Sequence, residues 1–139
     1  MSIKCSGALI YALDTKRFLF LFRKQSKNNN VWGLVGGTNE LAEAPGPALY
    51  REIYEEVGDI DVVKTFPLET FVSTDKKFNY FTYLCTVKQE FIPKLNDEHS
   101  GYAWSSYNDW PQPLHQGIVK TLRSKTIRKK LQTIFSILN

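Results

Sequence analysis

Residues 37–59, with the sequence GTNELAEAPGPALYREIYEEVGD, decide how this chain is interpreted. A proline-rich break leads into a helical pattern at residues 47–57. Proline suits the first position of a helix because its missing N–H would have no partner there anyway. Leu49, Ile53 and Val57 recur every four residues and predict an apolar stripe along one face. The segment therefore predicts an amphipathic helix that packs on a core.

Three glutamates, Glu52, Glu55 and Glu56, lie at the edge of this predicted apolar face. On a helix they share an arc of roughly 100° and span about 6 Å along the axis. Like charges four residues apart destabilise a helix by roughly 0.2–0.5 kcal/mol. Clustered carboxylates are also the ligands that hard cations such as Mg²⁺ or Mn²⁺ prefer. The trio alone is compatible with a metal site or with an acidic, solvated helix face.

A longer pattern of fixed spacing distinguishes these two interpretations. Gly37 is followed after five residues by Glu43, and after seven more by Arg51 and Glu52, and residues 53–58 are IYEEVG. This pattern resembles the Nudix box, Gly-x5-Glu-x7-Arg-Glu-U-x-Glu-Glu-x-Gly-U, where U is a bulky aliphatic residue. All seven fixed identities match, which chance would produce in about one such chain in a million. Only the last aliphatic position departs, because it is Asp59.

The resemblance implies an α/β (α+β) fold, a Nudix-type α/β/α sandwich with a mixed β-sheet, in which the box forms a loop-helix-loop. We expect one domain over residues 1–139. The remaining patterns predict strands at residues 7–13, 18–22, 31–35, 62–66, 71–73, 78–87 and 101–105, and a helix over residues 117–138. Residues 27–30 are expected to form an exposed loop.

The resemblance also implies roles for the box residues. Glu55 and Glu56 would be metal ligands with Glu52, and the backbone carbonyl of Gly37 would join them. Arg51 cannot act as a base. We expect Arg51 to assist catalysis by holding Glu52 through a charge-assisted hydrogen bond. Glu43 would be either a water-mediated ligand or a support for the loop.

Outside the box, residues 97–104 (DEHSGYAW) resemble the late loop and strand of the family, where an acidic residue often faces the metals. Glu98 is therefore expected to be a further ligand or the general base, with Asp97 as a substitute. Glu52 is the other candidate base. His99 and His115 are interpreted as surface residues and are left out of the site.

Substrate recognition is predicted from residues elsewhere in the chain. Arg23, at the end of a predicted strand, is a candidate phosphate contact. Phe78 and Tyr80 alternate along a predicted strand and are candidates to stack on a base, as is Trp104. Alternating aromatic residues on a strand are also typical of an ordinary core, so both interpretations stay open.

The first functional hypothesis is a metal-dependent hydrolase, using Mg²⁺ or Mn²⁺, that cleaves a diphosphate bond in a nucleoside diphosphate linked to another group and releases a nucleoside monophosphate. The alternatives are a house-cleaning pyrophosphohydrolase of nucleoside triphosphates and a silent Nudix domain that only binds nucleotide or RNA. Silent members usually lose box glutamates, which are intact here. An isopentenyl diphosphate isomerase shares the fold, but its catalytic cysteine context and extra length are not evident.

Composition limits the remaining classes of protein. The 139 residues carry a net charge of +4, with 42% hydrophobic and 23% charged residues, as in an ordinary globular domain. Cys5 and Cys85 fit neither a disulfide framework nor a zinc site. No stretch approaches the roughly 20 apolar residues of a membrane span, and no signal peptide is seen. We expect a cytoplasmic protein whose partner is a small nucleotide and not a nucleic acid. The oligomeric state stays open, and a homodimer is one candidate.

Overall fold

The computed structural model describes residues 2–24 and 30–138. The predicted loop at residues 27–30 therefore lies outside the described residues, apart from Asn30. In chain order the elements are β1 (Ile3–Ala12), β2 (Phe18–Arg23), β3 (Val31–Gly33), β4 (Val35–Thr38), α1 (Pro45–Val57), β5 (Lys64–Val72), β6 (Phe78–Val87), β7 (His99–Ser105), α2 (Gln116–Arg123) and α3 (Lys125–Leu138).

The described strands form one mixed sheet of seven strands, organised around β1. β1 runs parallel to β6 on one side. On its other side it pairs antiparallel with β4 near its beginning and with β2 near its end. β2 also pairs with β3 and β7, and β5 lies beyond β6. The consecutive strands β3 and β4 thus lie where β1 and β2 diverge, and they lead directly into the loop before α1.

The two faces of β1 pack against different helices. Leu9 and Tyr11 belong to a core that includes Leu122 of α2 and Leu131 of α3. The alternate residues Ala8, Ile10 and Ala12 belong to a second core, together with the predicted stripe of α1. This division follows from the alternation of side chains across a strand. The predicted α/β/α sandwich with a mixed sheet is confirmed.

Two predicted elements differ from the structure. The helix expected over residues 117–138 is divided at Ser124, which is extended and whose Oγ accepts a bond from the Ile127 N–H at 3.4 Å. On one continuous helix, Leu122 and Ile127 would lie about 140° apart. The break allows both side chains to be buried in the same core.

The predicted strands at 62–66 and 71–73 are one strand, β5, which passes through Pro67 with a shift of register before Glu69. The gap between the two predicted strands contains Pro67, which an edge strand tolerates because one row of its N–H groups needs no ladder partner. α1 begins at Pro45, two residues before the predicted start.

Both cysteines are free thiols, with Cys85 buried and Cys5 only partly so. Among the described residues, no helix combines the length and apolar character needed to cross a membrane.

Candidate active site

α1 brings its glutamates to the sheet because its apolar stripe is fully packed there. Leu49, Ile53 and Val57 are each at most 3% exposed. The helical spacing then buries Glu52 and Glu56 beside the stripe, at 8% and 2% exposure, while Glu55 stays exposed. The sequence predicted these three residues together, and the structure places two of them at the interface between α1 and the sheet.

Glu56 is the most perturbed carboxyl group of this cluster. Its Oε1 accepts a hydrogen bond from the Gly36 N–H at 2.7 Å. Burial raises the pKa of Glu56 to about 8, and the nearby charges of Glu52 and Glu98 add to this, while the Gly36 bond and Arg23 oppose it. A buried group of this kind is costly to ionise without a positive partner. Glu56 is therefore a site where a bound cation would stabilise the charged form.

Gly36 and Gly37 allow the backbone of β4 to lie close both to β1, its neighbour in the sheet, and to α1. A Cβ atom on Gly37 would lie 2.7 Å from Oε1 of Glu52. A Cβ atom on Gly36 would collide with the carbonyl oxygen of Ser6 and lie 2.6 Å from the Cα of Gly7. The backbone of β4 thus lies directly against the glutamates, as expected if the Gly37 carbonyl oxygen binds the same cation as they do.

Arg51 connects the loop to the helix. Its Nε and Nη2 donate to both carboxylate oxygens of Glu43, at 2.8 and 3.0 Å, and Nη2 also donates to the Thr38 carbonyl oxygen at 3.1 Å. Its Nη1 lies 3.0 Å from Glu55 Oε2 and 3.2 Å from Glu52 Oε1. The sequence predicted the contact with Glu52 alone. Because both Glu43 oxygens bind Arg51, the geometry favours the role of Glu43 as a loop support.

Two further side chains, those of Glu98 and His99, lie beside Glu56 at the start of β7. Carboxylate oxygens of Glu56 and Glu98 and a ring nitrogen of His99 all lie within 4.8 Å of one another. Glu98 and Asp97 are exposed, but His99 is only 3% exposed. The interpretation of His99 as a surface residue was wrong, because its pairing with Arg23 of β2 places it inside the sheet. The exposed His115 instead begins α2, where its Nδ1 accepts from the Gly117 N–H.

Hydrogen bonds determine which nitrogen of His99 carries the proton. The Glu98 N–H can only donate, so its partner atom on Asn96, at 3.1 Å, must be the amide oxygen. The same oxygen lies 3.2 Å from Nδ1 of His99, so Nδ1 must donate to it. Burial, followed by the charge of Arg23, lowers the pKa of His99 to about 4. His99 is thus neutral near pH 7, with its free lone pair on Nε2.

One cavity of about 500 Å³ extends from the backbone of β4 beside these glutamates to the predicted recognition residues. Gly36, Gly37 and His99 line it, as do all three predicted substrate contacts, Arg23, Phe78 and Tyr80. The ring centroids of Phe78 and Tyr80 lie 6.3 Å apart. Trp104 lies in the other core, packed edge-to-face on Phe91 with its Nε1 donating to the Phe91 carbonyl oxygen at 3.1 Å.

The donor set fits a divalent cation. The carboxylates of Glu56 and Glu98 lie together with the ring of His99, and oxygen ligands of this kind suit Mg²⁺ and Mn²⁺. The neutral imidazole of His99 adds a nitrogen donor that Mn²⁺ accepts more readily than Mg²⁺. Glu52 lies one turn before Glu56 on α1, and Glu55 is exposed and paired with Arg51.

Comparison with known proteins agrees with this geometry. The family description "NUDIX domain" matches residues 4–124. The chain belongs to the Nudix family. It is accordingly a pyrophosphohydrolase, a hydrolase that acts on acid anhydrides, and Nudix hydrolases generally use divalent metal ions.

A curated Nudix relative is the dihydroneopterin triphosphate diphosphatase of Haemophilus influenzae, which is 34% identical over 114 residues, with 70% of each chain covered. A MutT Nudix hydrolase from Burkholderia pseudomallei superposes with a TM-score of 0.69 at 25% identity, covering 90% of this chain and 98% of that one. The Nudix domain of NrtR from Shewanella oneidensis, solved with ADP ribose, has a TM-score of 0.76 at 16% identity and covers 94% and 89%. At that identity the last comparison supports the fold alone.

Proposed function

We propose that this Nudix hydrolase cleaves a diphosphate bond in the triphosphate of a nucleoside or of a related bicyclic base, with a divalent cation in the glutamate cluster. The observation that carries the proposal is the continuous cavity that joins Gly36 and Gly37 to Phe78 and Tyr80. At one end, a cation held by the glutamates and the side chain of Arg23 would bind the phosphates. At the other end, aromatic side chains offer surfaces for a base.

Glu52, Glu55, Glu56 and Glu98 would hold the cation, together with the Gly37 carbonyl oxygen, and His99 Nε2 is available to join them. A bound Mg²⁺ or Mn²⁺ supplies neutralisation of phosphate charge and a lowered pKa for attacking water. The role of Arg51 is positional, because its bonds to Glu43, Glu55 and Glu52 fix the loop relative to α1. Arg23, at the cavity wall, contacts the phosphates.

The proton of the attacking water goes to a carboxylate, and Glu98 is our first choice. Burial raises the pKa of Glu52, but its carboxylate is held by an ion pair with Arg51 at 3.2 Å, which opposes that rise. Glu98 is exposed beside Glu56 and His99, and among residues 2–24 and 30–138 it forms no ion pair. As the water oxygen bonds to phosphorus, the bridging P–O bond breaks and the distal phosphates leave as the second product.

The choice of a triphosphate rests on the curated relative, whose name specifies a triphosphate of a pterin. The first hypothesis from the sequence, a nucleoside diphosphate derivative such as ADP-ribose, stays a prediction. Cytoplasmic location, a homodimer and the absence of a nucleic acid partner also stay predictions.

The test is turnover of the purified chain with Mg²⁺ or Mn²⁺ across four substrate classes: triphosphates including dihydroneopterin triphosphate, ADP-ribose, dinucleoside polyphosphates and nucleotide sugars. We expect metal-dependent release of pyrophosphate from triphosphates. Cleavage of ADP-ribose or a nucleotide sugar in preference would favour the first hypothesis instead. A folded protein that binds nucleotide and cleaves nothing would be a silent binding domain.

A further inference from the structure

We propose that Glu69 selects substrates whose base presents a ring N–H beside an exocyclic NH₂, as guanine and pterins do. This inference deepens the proposed function, because it names the class of base that the cavity takes. Glu69 lies in β5, remote from the box in sequence, and its half-buried side chain lines the cavity.

The sheet register places Glu69 at a suitable distance from the glutamate cluster. Gly36 pairs with Gly7, Gly7 with Thr82, and Thr82 with Glu69, so these residues form one row across β4, β1, β6 and β5. Three strand spacings separate Gly36, whose N–H binds Glu56, from Glu69, or roughly 14 Å. That span is comparable with the length of a nucleoside triphosphate from its phosphates to the far edge of its base.

The aromatic residues lie beside this row. Phe71 follows Glu69 by two positions in β5 and pairs with Tyr80 of β6, and all three line the cavity. The rings of Phe71 and Phe78 have centroids 6.3 Å apart. A base stacked on these rings would therefore have its edge directed along the sheet toward Glu69.

The carboxylate of Glu69 is held in place with acceptor capacity to spare. Its Oε1 accepts a hydrogen bond from the Thr121 hydroxyl of α2 at 2.7 Å. Within the described residues its Oε2 has no hydrogen-bond partner, and each carboxylate oxygen has two lone pairs. A carboxylate accepts from two adjacent donors, so it matches an N–H and NH₂ pair, whereas adenine presents a ring acceptor there and hypoxanthine lacks the NH₂ group.

GTP and ITP differ only in that NH₂ group and therefore test the inference directly. Because hydrogen bonds to charged groups are strong, we expect kcat/KM to favour GTP over ITP by about tenfold or more. Glu69→Gln should bring this ratio close to one. The charge-matched control is Glu90→Gln, which lies beside Arg17 and does not line the cavity, and it should leave the ratio unchanged.

If the only role of Glu69 is to attach α2 to β5, a different result is expected. Glutamine can still accept from Thr121, so the GTP to ITP ratio would not change in Glu69→Gln. That result, or a wild-type ratio near one, would overturn the inference.

Calorimetric binding of GMP and IMP to the wild-type chain separates the two proposals, because it needs neither turnover nor a variant. Tighter binding of GMP without cleavage of any triphosphate would support the role of Glu69 and reject the proposed reaction. Cleavage of triphosphates with equal binding of GMP and IMP would do the reverse.

Discussion

The cavity has a glutamate end, beside Gly36, Gly37 and His99, and a recognition end, beside Glu69 and Tyr80. The two ends are built from different kinds of sequence. At the glutamate end, most of the groups come from residues 37–56, so a loop and one helix place them together. At the recognition end, Glu69, Tyr80 and Thr121 come from three elements and meet only through the sheet and α2. The chemistry of hydrolysis is therefore specified locally, while the choice of base depends on strand register. Substrate preference can consequently change among relatives that keep the same box.

The largest expected effect comes from a substitution that disables the glutamate end and leaves the recognition end intact. Glu56→Gln keeps an acceptor for the Gly36 N–H but removes a ligand charge, so turnover should fall by at least about 100-fold while the fold is retained. Steady-state kinetics and circular dichroism measure the two properties. Glu90→Gln, on the surface beside Arg17, is the charge-matched control and should keep its turnover. Activity within a few-fold of wild type in Glu56→Gln would show that the metal site is misassigned.

The pH dependence of stability provides a second test of the glutamate end. The pKa of Glu56 is raised from its ordinary value of 4.5 to about 8. Its stabilising contribution is therefore complete below pH 4.5 and is lost as the pH rises through about 8. Without metal, the wild-type chain should lose stability relative to Glu56→Gln across this window, by about 1.4 kcal/mol per unit of pKa shift.

Urea unfolding of both proteins between about pH 3.5 and pH 9 measures this difference, because these limits lie about one unit outside the window from 4.5 to about 8. Mg²⁺ should raise the unfolding free energy of the wild-type chain more at high pH than at low pH. A difference between the two proteins that does not change with pH would contradict the burial of an ionisable Glu56.

Arg51 tests how far the loop and the helix act as one unit. Arg51→Lys keeps the charge but cannot bind both Glu43 oxygens and the Thr38 carbonyl together. We expect a loss of about 10–100-fold in turnover, with a higher metal concentration needed for half-maximal activity. Metal titration of the rate measures this. Glu43→Gln should cause part of the same loss and add little to Arg51→Lys, because both changes break one contact.

The same contrast explains what the sequence could predict. The box placed Glu52, Glu55 and Glu56 because helical spacing alone brings them together, and the stripe of α1 predicted which face is buried. The sandwich followed from the family resemblance and from the strand patterns. β5 was predicted in two pieces, and the gap between them contains Pro67, which this strand accommodates because it lies at the edge of the sheet. The break at Ser124 depends on how α3 packs on the sheet.

His99, Glu69 and Thr121 were missed for a similar reason. A lone histidine after Glu98 has no local pattern that indicates burial, and only its pairing with Arg23 places it inside the cavity. Glu69 and Thr121 are 52 positions apart and carry no motif. Phe78 and Tyr80 could be singled out from the sequence because their alternation marks one face of a strand. The alternation alone did not indicate which of the two cores that face would join.

The smallest effect concerns two aromatic residues that the sequence treated alike. Phe78 lines the cavity, so Phe78→Leu should raise KM by about fivefold or more through lost stacking and leave kcat nearly unchanged. Trp104 belongs to the core beneath α1, so Trp104→Phe should leave KM unchanged and cost about 1 kcal/mol of unfolding free energy, the usual value of one hydrogen bond such as that to the Phe91 carbonyl. Kinetics with the preferred triphosphate and urea unfolding of both variants measure the two quantities. A raised KM in Trp104→Phe, or an unchanged one in Phe78→Leu, would mean that the base binds on the other side of the sheet, and Glu69 would then lie too far away to read it.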